Sequence, residues 1–398
     1  MSVDLAPDPH VEEIAAATRR FVDEVVVPAE REVDPAAHGA PDALRARLQA
    51  AARAAGIFAP TAPVEHGGLG LDHRGQAVVL EEAGRSVLGP GALHCAAPDE
   101  GNILLLDRRA VGAQRDRYLA PLARGEVRSA FAMTEPSPGA GADPSQLATT
   151  ATRVSSGWRI DGRKWLITGA DGAGFLIVMA RTSEQGATIF LVDADTPGWQ
   201  ITRRVDTLDG GFAGGHCELA FDGLEVGDDA VLGEVDEGFA AAQVRLGPAR
   251  LTHCMRWLGA ARRAHETAVA YAADRPSWGG VLADLGMVQR MIALNEVDIA
   301  AARGVIVQAA WALDLERPAR QETSVAKVFV AEAVHRIVDR SMQVAGGYGM
   351  SYDSPLPSLL REVRPFRVYD GPTEVHLQSL ARRAFRRAGK GQLPGDRP

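Results

Sequence analysis

From about Pro9 to Gly125 the apolar residues recur at helical spacing. Ile14, Phe21 and Val25 would share one helix face, and Leu44, Leu48, Ala51, Ala52 and Ala55 lead to Gly56, a residue suited to ending a helix. The loop Glu65-His-Gly-Gly-Leu-Gly70 interrupts this pattern, and its glycines imply unusual backbone angles or close approach. Between about Ser129 and Leu232 the period shortens. The β-rich runs Thr149–Val154, Trp158–Ile160, Phe175–Val178, Thr188–Val192 and Cys217–Phe221 alternate with glycine and aspartate turns, and Ser155-Ser156-Gly157 reads as a hairpin connection. From about Glu237 onward the helical period returns. Leu285, Val288, Ile292, Ile299, Ile306 and Ala310 keep the spacing of a bundle helix, and Pro276, Pro318, Pro355 and Pro372 fall where helices would begin or separate. The pattern predicts an α+β chain. It has an N-terminal helical domain over residues 1–127, a middle antiparallel β barrel or sandwich over 128–235, and a C-terminal four-helix bundle over 236–398.

Composition narrows the function classes. A chain of 398 residues, 46% hydrophobic and 24% charged, can bury two or three cores. Its formal net charge is −8, and the one dense basic cluster, Arg382, Arg383, Arg386 and Arg387, reads as a solvated helix end. A general nucleic-acid or membrane-surface binder would need a positive face. Cys95, Cys217 and Cys254 are far apart and have no metal-ligand spacing, so no metal is expected and a reduced, cytoplasmic setting is. His94, His253 and His265 likewise lack partner spacing and read as structural histidines. No GxGxxG follows a first strand, which argues against a nicotinamide-dependent α/β dehydrogenase.

Four segments carry candidate chemistry. Phe131-Ala-Met-Thr-Glu-Pro-Ser-Pro-Gly-Ala-Gly-Ala-Asp143 is a loop with free backbone groups, and Gly162-Arg-Lys-Trp-Leu-Ile-Thr-Gly169 is a strand that ends on the Thr168 hydroxyl. Gln343-Val-Ala-Gly-Gly-Tyr-Gly349 allows close backbone approach, and Arg367-Val-Tyr-Asp-Gly-Pro-Thr-Glu-Val-His376 presents carboxylates beside a turn. Taken alone, Asp370 before Gly-Pro is also a good helix N-cap, with Glu374 in the first turn.

In this order the segments resemble the acyl-CoA dehydrogenase family, whose patterns include TEP, GxGSD, GxKxxITN and QxxGGxG. The EHGGLG loop matches it as well. The resemblance covers nearly the whole chain and implies FAD as cofactor. Main-chain groups of Phe131, Met133 and Thr134 would hold the flavin pyrimidine ring, Leu166 and Ile167 would flank it, and the Thr168 hydroxyl would meet the flavin nitrogen that accepts hydride. Arg275 would reach the pyrophosphate across a subunit interface, a task that suits a planar guanidinium. Trp278, Gln343, Gly346, Gly347, Pro372 and Glu374 would complete the cofactor site, so a homodimer or homotetramer is expected.

The resemblance also implies a reaction. A base removes the proton alpha to a thioester while the beta hydrogen leaves as hydride, giving a 2-enoyl thioester. Most members carry glutamate at this position, but one subgroup has DGPxEVH, and here the base would be Asp370. Arg250, in the Arg245–Arg256 segment similar to that subgroup, would assist it or brace a helix break at Gly247-Pro248. Ala142, Gly247 and Gly371 would border substrate. The acyl carrier would be coenzyme A or a carrier protein, and electrons would pass to an electron-transfer flavoprotein. Three departures touch substrate placement: Ala142 replaces the GxGSD serine behind the extra Ser137-Pro138, Leu166 replaces an aromatic with Trp165 adjacent, and Asp370 replaces glutamate. A nitroalkane-oxidase-like oxidase, a flavin monooxygenase and a non-catalytic flavin- or acyl-binding subunit are the alternatives.

Overall fold

The computed structural model describes residues 6–33 and 39–389. In chain order the first helices are α1 (Pro9–Phe21), α2 (Val27–Ala29), α3 (Asp42–Ala54), α4 (His73–Ala83), α5 (Gly89–Ala92), α6 (Asp99–Arg109) and α7 (Ala120–Ala123). Strands follow: β1 (Ser129–Ala132), β2 (Thr150–Val154), β3 (Gly157–Thr168), β4 (Phe175–Arg181), β5 (Ala187–Asp193), β6 (Trp199–Val205) and β7 (His216–Val226). After the long α8 (Gly238–Asp274) come a small hairpin, β8 (Pro276–Ser277) and β9 (Gly280–Val281), and then α9 (Gly286–Asp314), α10 (Arg320–Met350), α11 (Leu356–Val363) and α12 (Thr373–Arg387). The chain divides into two compact units.

One unit holds residues 13–72 and 86–249. At its centre is a sheet in the order β1-β4-β2-β3-β7-β6, with β5 paired to β4. Most neighbours are antiparallel, and the β2–β3 hairpin turns where Ser155-Ser156-Gly157 predicted it. The sheet is nevertheless mixed, because β1 runs parallel to β4. A tight turn joins only antiparallel strands; here a loop and the β2–β3 hairpin lie between β1 and β4 and return the chain in the same direction. Strand β3 is 12 residues long, far beyond the predicted Trp158–Ile160, because its polar half, Gly162 to Lys164, breaks the apolar alternation. Its pairing with β7 is bulged at Ile160/Gly162 and at Lys164/Ile167. Trp158, Ile160, Ile167, Leu176, Val178, Phe190 and Leu219 fill the core of the sheet.

The helices of this unit follow most of their apolar pattern, though Ala55 is exposed just past the end of α3. After α1 the chain makes a π-turn over Val22–Val26, whose extra residue rotates the face; Val22 and Val26 are fully buried while Val25, predicted on the buried face, is exposed. In the 65–70 loop, Gly67 has φ +87° and a Cβ on Gly68 would stand 2.2 Å from the Ala62 carbonyl, so the glycines are required by the backbone.

The other unit is helical and comprises residues 6–12, 73–85 and 250–389 of the described chain. Helix α10 touches α9, α11 and α12, and α4 touches α9. Ala268 and Ala272 of α8 pack with Val288 of α9 and Val344 of α10, which makes α8, α9, α10 and α12 a four-helix arrangement. A helix break expected at Gly247-Pro248 does not occur: α8 continues through Pro248. Proline forfeits one hydrogen bond, and the fully buried Leu251, Cys254, Met255 and Leu258 hold the following turns in place. Pro355 and Pro372 do stand at the N-caps of α11 and α12. Among the described residues no helix is long and apolar enough to cross a membrane.

Candidate active site

The Arg367–His376 segment is a turn built to fix Asp370. Asp370 has φ +55°, a left-handed conformation that a non-glycine residue keeps only when its surroundings impose it. Its carbonyl oxygen accepts from Arg250 Nε at 2.9 Å and from His376 Nε2 at 3.2 Å. A carbonyl can only accept, so His376 carries its proton on Nε2, and burial lowers its pKa to about 4, which keeps the ring neutral. Gly371 continues the turn at φ +93°, and a Cβ there would lie 2.7 Å from His376 Nε2. The fully buried Lys327 of α10 donates to the Phe366 carbonyl at 2.6 Å and lies 3.3 Å from the Gly371 carbonyl. Burial lowers its pKa to about 8. Arg367 and the buried Thr373 both reach Glu332.

The capping alternative for Asp370 does not hold. Pro372 is the N-cap of α12, no side chain caps that end, and Glu374 is exposed in the first turn. The Asp370 carboxylate instead lies 3.4 Å from His253 Nε2. His253 was read as structural, and here it adjoins the candidate base. Its other nitrogen is 3.5 Å from the Tyr369 hydroxyl, which receives the Trp257 indole N–H at 2.5 Å. The signal was present in the sequence: Arg250, His253 and Trp257 recur at i, i+3 and i+7, one face of α8. His265 lies against Glu296 and His94 on the Leu122 carbonyl.

Other predicted residues of this unit gather at one end of the bundle. Gln343, Gly346 and Gly347 share the exposed face of α10, while Val344, Ala345 and Gly349 are buried. Gly346, at φ +58° and ψ −132°, kinks the helix there, and a Cβ on either Gly346 or Gly347 would meet nothing within 4 Å. Tyr348 stacks on Tyr271 of α8, with ring centroids 5.1 Å apart. Just beyond, Arg275 is exposed after the end of α8, and Trp278, 88% exposed, turns the β8–β9 hairpin with Gly279, both at positive φ. Gly247, which falls in the sheet-containing unit, has open space where a Cβ would be.

In the sheet-containing unit the two predicted strand segments meet. The Trp165 amide donates to the Thr134 carbonyl at 2.9 Å, and Lys164 Nζ donates to the Met133 carbonyl at 3.0 Å. Lys164 also pairs with Glu135 at 2.8 Å; both side chains are buried, and the Glu135 carboxylate accepts from the Ala140, Ala148 and Thr149 amides. This pair ties the 133–149 loop to β3, and sequence reasoning passed over it. Phe131 lies under Arg245, whose Nε donates to Asn102, and Asn102 joins Ser129 and Asp99 in a buried polar chain. At the Lys164/Ile167 bulge Leu166 takes φ +55° and is exposed, whereas the Ile167 side chain enters the core, leaving only its main chain for a ligand. Trp165 Nε1 is buried with no hydrogen-bond partner. Ala142 is exposed in the loop beside Asp143, whose carboxylate accepts from the Ser145 amide. The Thr168 hydroxyl is 3.0 Å from His216 Nδ1, and His216 Nε2 is 3.2 Å from Asp209.

Comparison with known proteins places the chain in a family. Residues 8–126, 130–224 and 236–385 match the N-terminal, middle and C-terminal domains of acyl-CoA dehydrogenases. A probable acyl-CoA dehydrogenase of Mycobacterium tuberculosis, FadE2, is 38% identical over 88% of each chain. Acyl-CoA dehydrogenase family member 11 of Gallus gallus is 34% identical over 93% of this chain, which spans about 50% of that longer protein. A solved putative acyl-CoA dehydrogenase from Mycobacterium abscessus superposes with a TM-score of 0.89 at 34% identity, over 96% of this chain and 100% of that one. The chain belongs to the acyl-CoA dehydrogenase family of flavin oxidoreductases.

Proposed function

We propose that this chain binds FAD and oxidises an acyl thioester to its 2-enoyl thioester, with Asp370 as the base. The observation that supports this most is the division of labour within Asp370. Its carbonyl is held by Arg250 and His376, and its carboxylate, 18% exposed, caps no helix. The fold spends the main chain of this residue on positioning and presents the side chain at a set angle.

The donor set suits FAD. The carbonyls of Met133 and Thr134 are engaged internally, which leaves their amides and the Thr134 hydroxyl for the flavin pyrimidine ring. Phe131 adds main-chain contact, Leu166 and the Ile167 backbone flank the ring, Trp165 has an indole N–H to offer, and Thr168 presents a hydroxyl. Arg275, Trp278, Gln343, Gly346 and Gly347 are exposed on one copy of the chain and fit the nucleotide half held by a second copy, so a homodimer or homotetramer belongs to this reading. Pro372 and Glu374 at the start of α12 complete the set. FAD, when bound, supplies the acceptor for the beta hydrogen as hydride.

The chain's own residues do the rest. Asp370 removes the alpha proton, Arg250 and His376 fix its backbone, and Gly371 keeps the turn open. Ala142 and Gly247, both lacking bulk, border the acyl thioester, carried by coenzyme A or a carrier protein. An electron-transfer flavoprotein is the proposed electron acceptor.

The test is the anaerobic visible spectrum during titration with saturated acyl-CoAs of increasing length. The wild type should be bleached by at least one of them, and Asp370→Asn should hold its flavin but stay yellow. Bleaching of Asp370→Asn at near wild-type rate would remove Asp370 as the base.

A further inference from the structure

The Thr168 hydroxyl ends a hydrogen-bond chain whose direction is set from its far end. Asp209 is buried, and the His216 hydrogen bond holds its carboxyl below the usual range against the opposing effect of burial, so it is an anion and can only accept. When the His216 imidazole carries a single proton, that proton sits on Nε2, 3.2 Å from Asp209 Oδ2. That leaves Nδ1 as an acceptor, and Thr168 Oγ1, 3.0 Å away, must donate to it. Phe212 lies against the imidazole, with ring centroids 5.5 Å apart, and the His216 side chain is 13% exposed, so the ring has little freedom to turn. Strand pairing fixes the contact, since Thr168 and His216 are register partners in β3 and β7. A hydroxyl has one hydrogen. With that hydrogen spent on His216, Thr168 shows only lone pairs to whatever binds beside it.

We infer that Asp209 and His216 act as a positioning pair that makes Thr168 a hydrogen-bond acceptor toward its ligand, and so favour a ligand that carries N–H at that point. This rests on the FAD reading above and deepens it: the flavin nitrogen opposite Thr168 bears hydrogen only in the reduced cofactor, so the pair favours reduced over oxidised flavin. Asp209→Asn is the informative change. An asparagine amide can donate to Nε2, which moves the histidine proton to Nδ1 and turns the Thr168 hydroxyl outward as a donor. His216→Phe removes both nitrogens and keeps the ring against Phe212.

Two measurements test this. The first is the ¹⁵N spectrum of histidine-labelled protein stripped of cofactor, with the His216 signal assigned by its loss in His216→Phe. The wild type should show the Nε2–H tautomer and Asp209→Asn the Nδ1–H tautomer. The second is the flavin midpoint potential of the holoprotein. It should fall in both variants by about 30 mV, the value for a tenfold loss of preference in a two-electron couple. An Nδ1–H tautomer or a doubly protonated ring in the wild type, or potentials unmoved in both variants, would overturn the inference. A purified protein with no flavin would instead refute the cofactor reading, and the tautomer measurement would still decide the direction of the chain.

Discussion

Replacing Lys164 with methionine should cost far more stability than the Lys164–Glu135 pair contributes as a whole. Both side chains are buried, at 0% and 1% exposure, with Nζ 2.8 Å from Oε1. Lys164 and the surrounding amides hold the Glu135 pKa at about 2 although burial opposes them, against an ordinary 4.5. At about 1.4 kcal/mol per unit this is roughly 3 kcal/mol of stability. The folded pKa lies below the unfolded one, so this stability is present above pH 4.5 and is lost as pH falls toward 2. Burial lowers Lys164 from 10.5 to about 8, so charging it costs a similar amount at neutral pH, a cost that fades as pH rises from 8 to 10.5. The two nearly cancel. Removing only the lysine strands a carboxylate in the interior, and about 3–5 kcal/mol should be lost. The double variant Lys164→Met with Glu135→Gln should recover part of it, since the buried charge is gone and the glutamine oxygen, at the Oε2 position, can still accept from the Ala140 and Ala148 amides, while its NH2 cannot accept from Thr149. Urea unfolding at pH 7, followed by tryptophan fluorescence, measures both. A loss below about 1 kcal/mol for the single variant, or a double variant no more stable than the single one, would refute the reasoning.

Three further outcomes can be checked on the other unit. Asp370→Asn should retain flavin while thioester-driven bleaching is lost, as stated above. His253→Phe, which removes the nitrogen 3.4 Å from Asp370 Oδ2, should slow bleaching about tenfold without changing flavin content, read by stopped-flow absorbance, while His253→Gln keeps more of the rate; equal rates would exclude a role for His253. Gly371→Ala should cost about 1–3 kcal/mol in urea unfolding, because its φ is +93° and the new Cβ would stand 2.7 Å from His376; unchanged stability would mean the turn relaxes freely.

Much of the fold was legible because it depends on periodicity. The change from helical to strand spacing near Ser129, and back near Glu237, needs no partner to be seen. Where the reading slipped, a contact had overruled local pattern. Val25 missed the buried face because of one π-turn, β3 hid behind its polar Gly162–Lys164 stretch, and Pro248 failed to break a helix whose neighbouring turns were buried. The candidate site divides in the same way. Motif order located Asp370 and Thr168, but not their company: His253 and His376 approach Asp370 from α8 and α12, Lys327 reaches the adjoining Gly371 carbonyl from α10, and His216, itself held by Asp209, meets Thr168 from 48 residues away.

The sequence by itself determined the succession of helices, strands and helices, and the residue types that carry the chemistry, since both are written in local spacing and side-chain identity. Only the tertiary structure decided whether Asp370 caps a helix or presents its carboxylate, and that the Thr168 hydroxyl meets His216 and, through it, Asp209. Those answers depend on hydrogen bonds between groups distant in the chain, and a hydrogen bond's direction is fixed by the partner that can only donate or only accept.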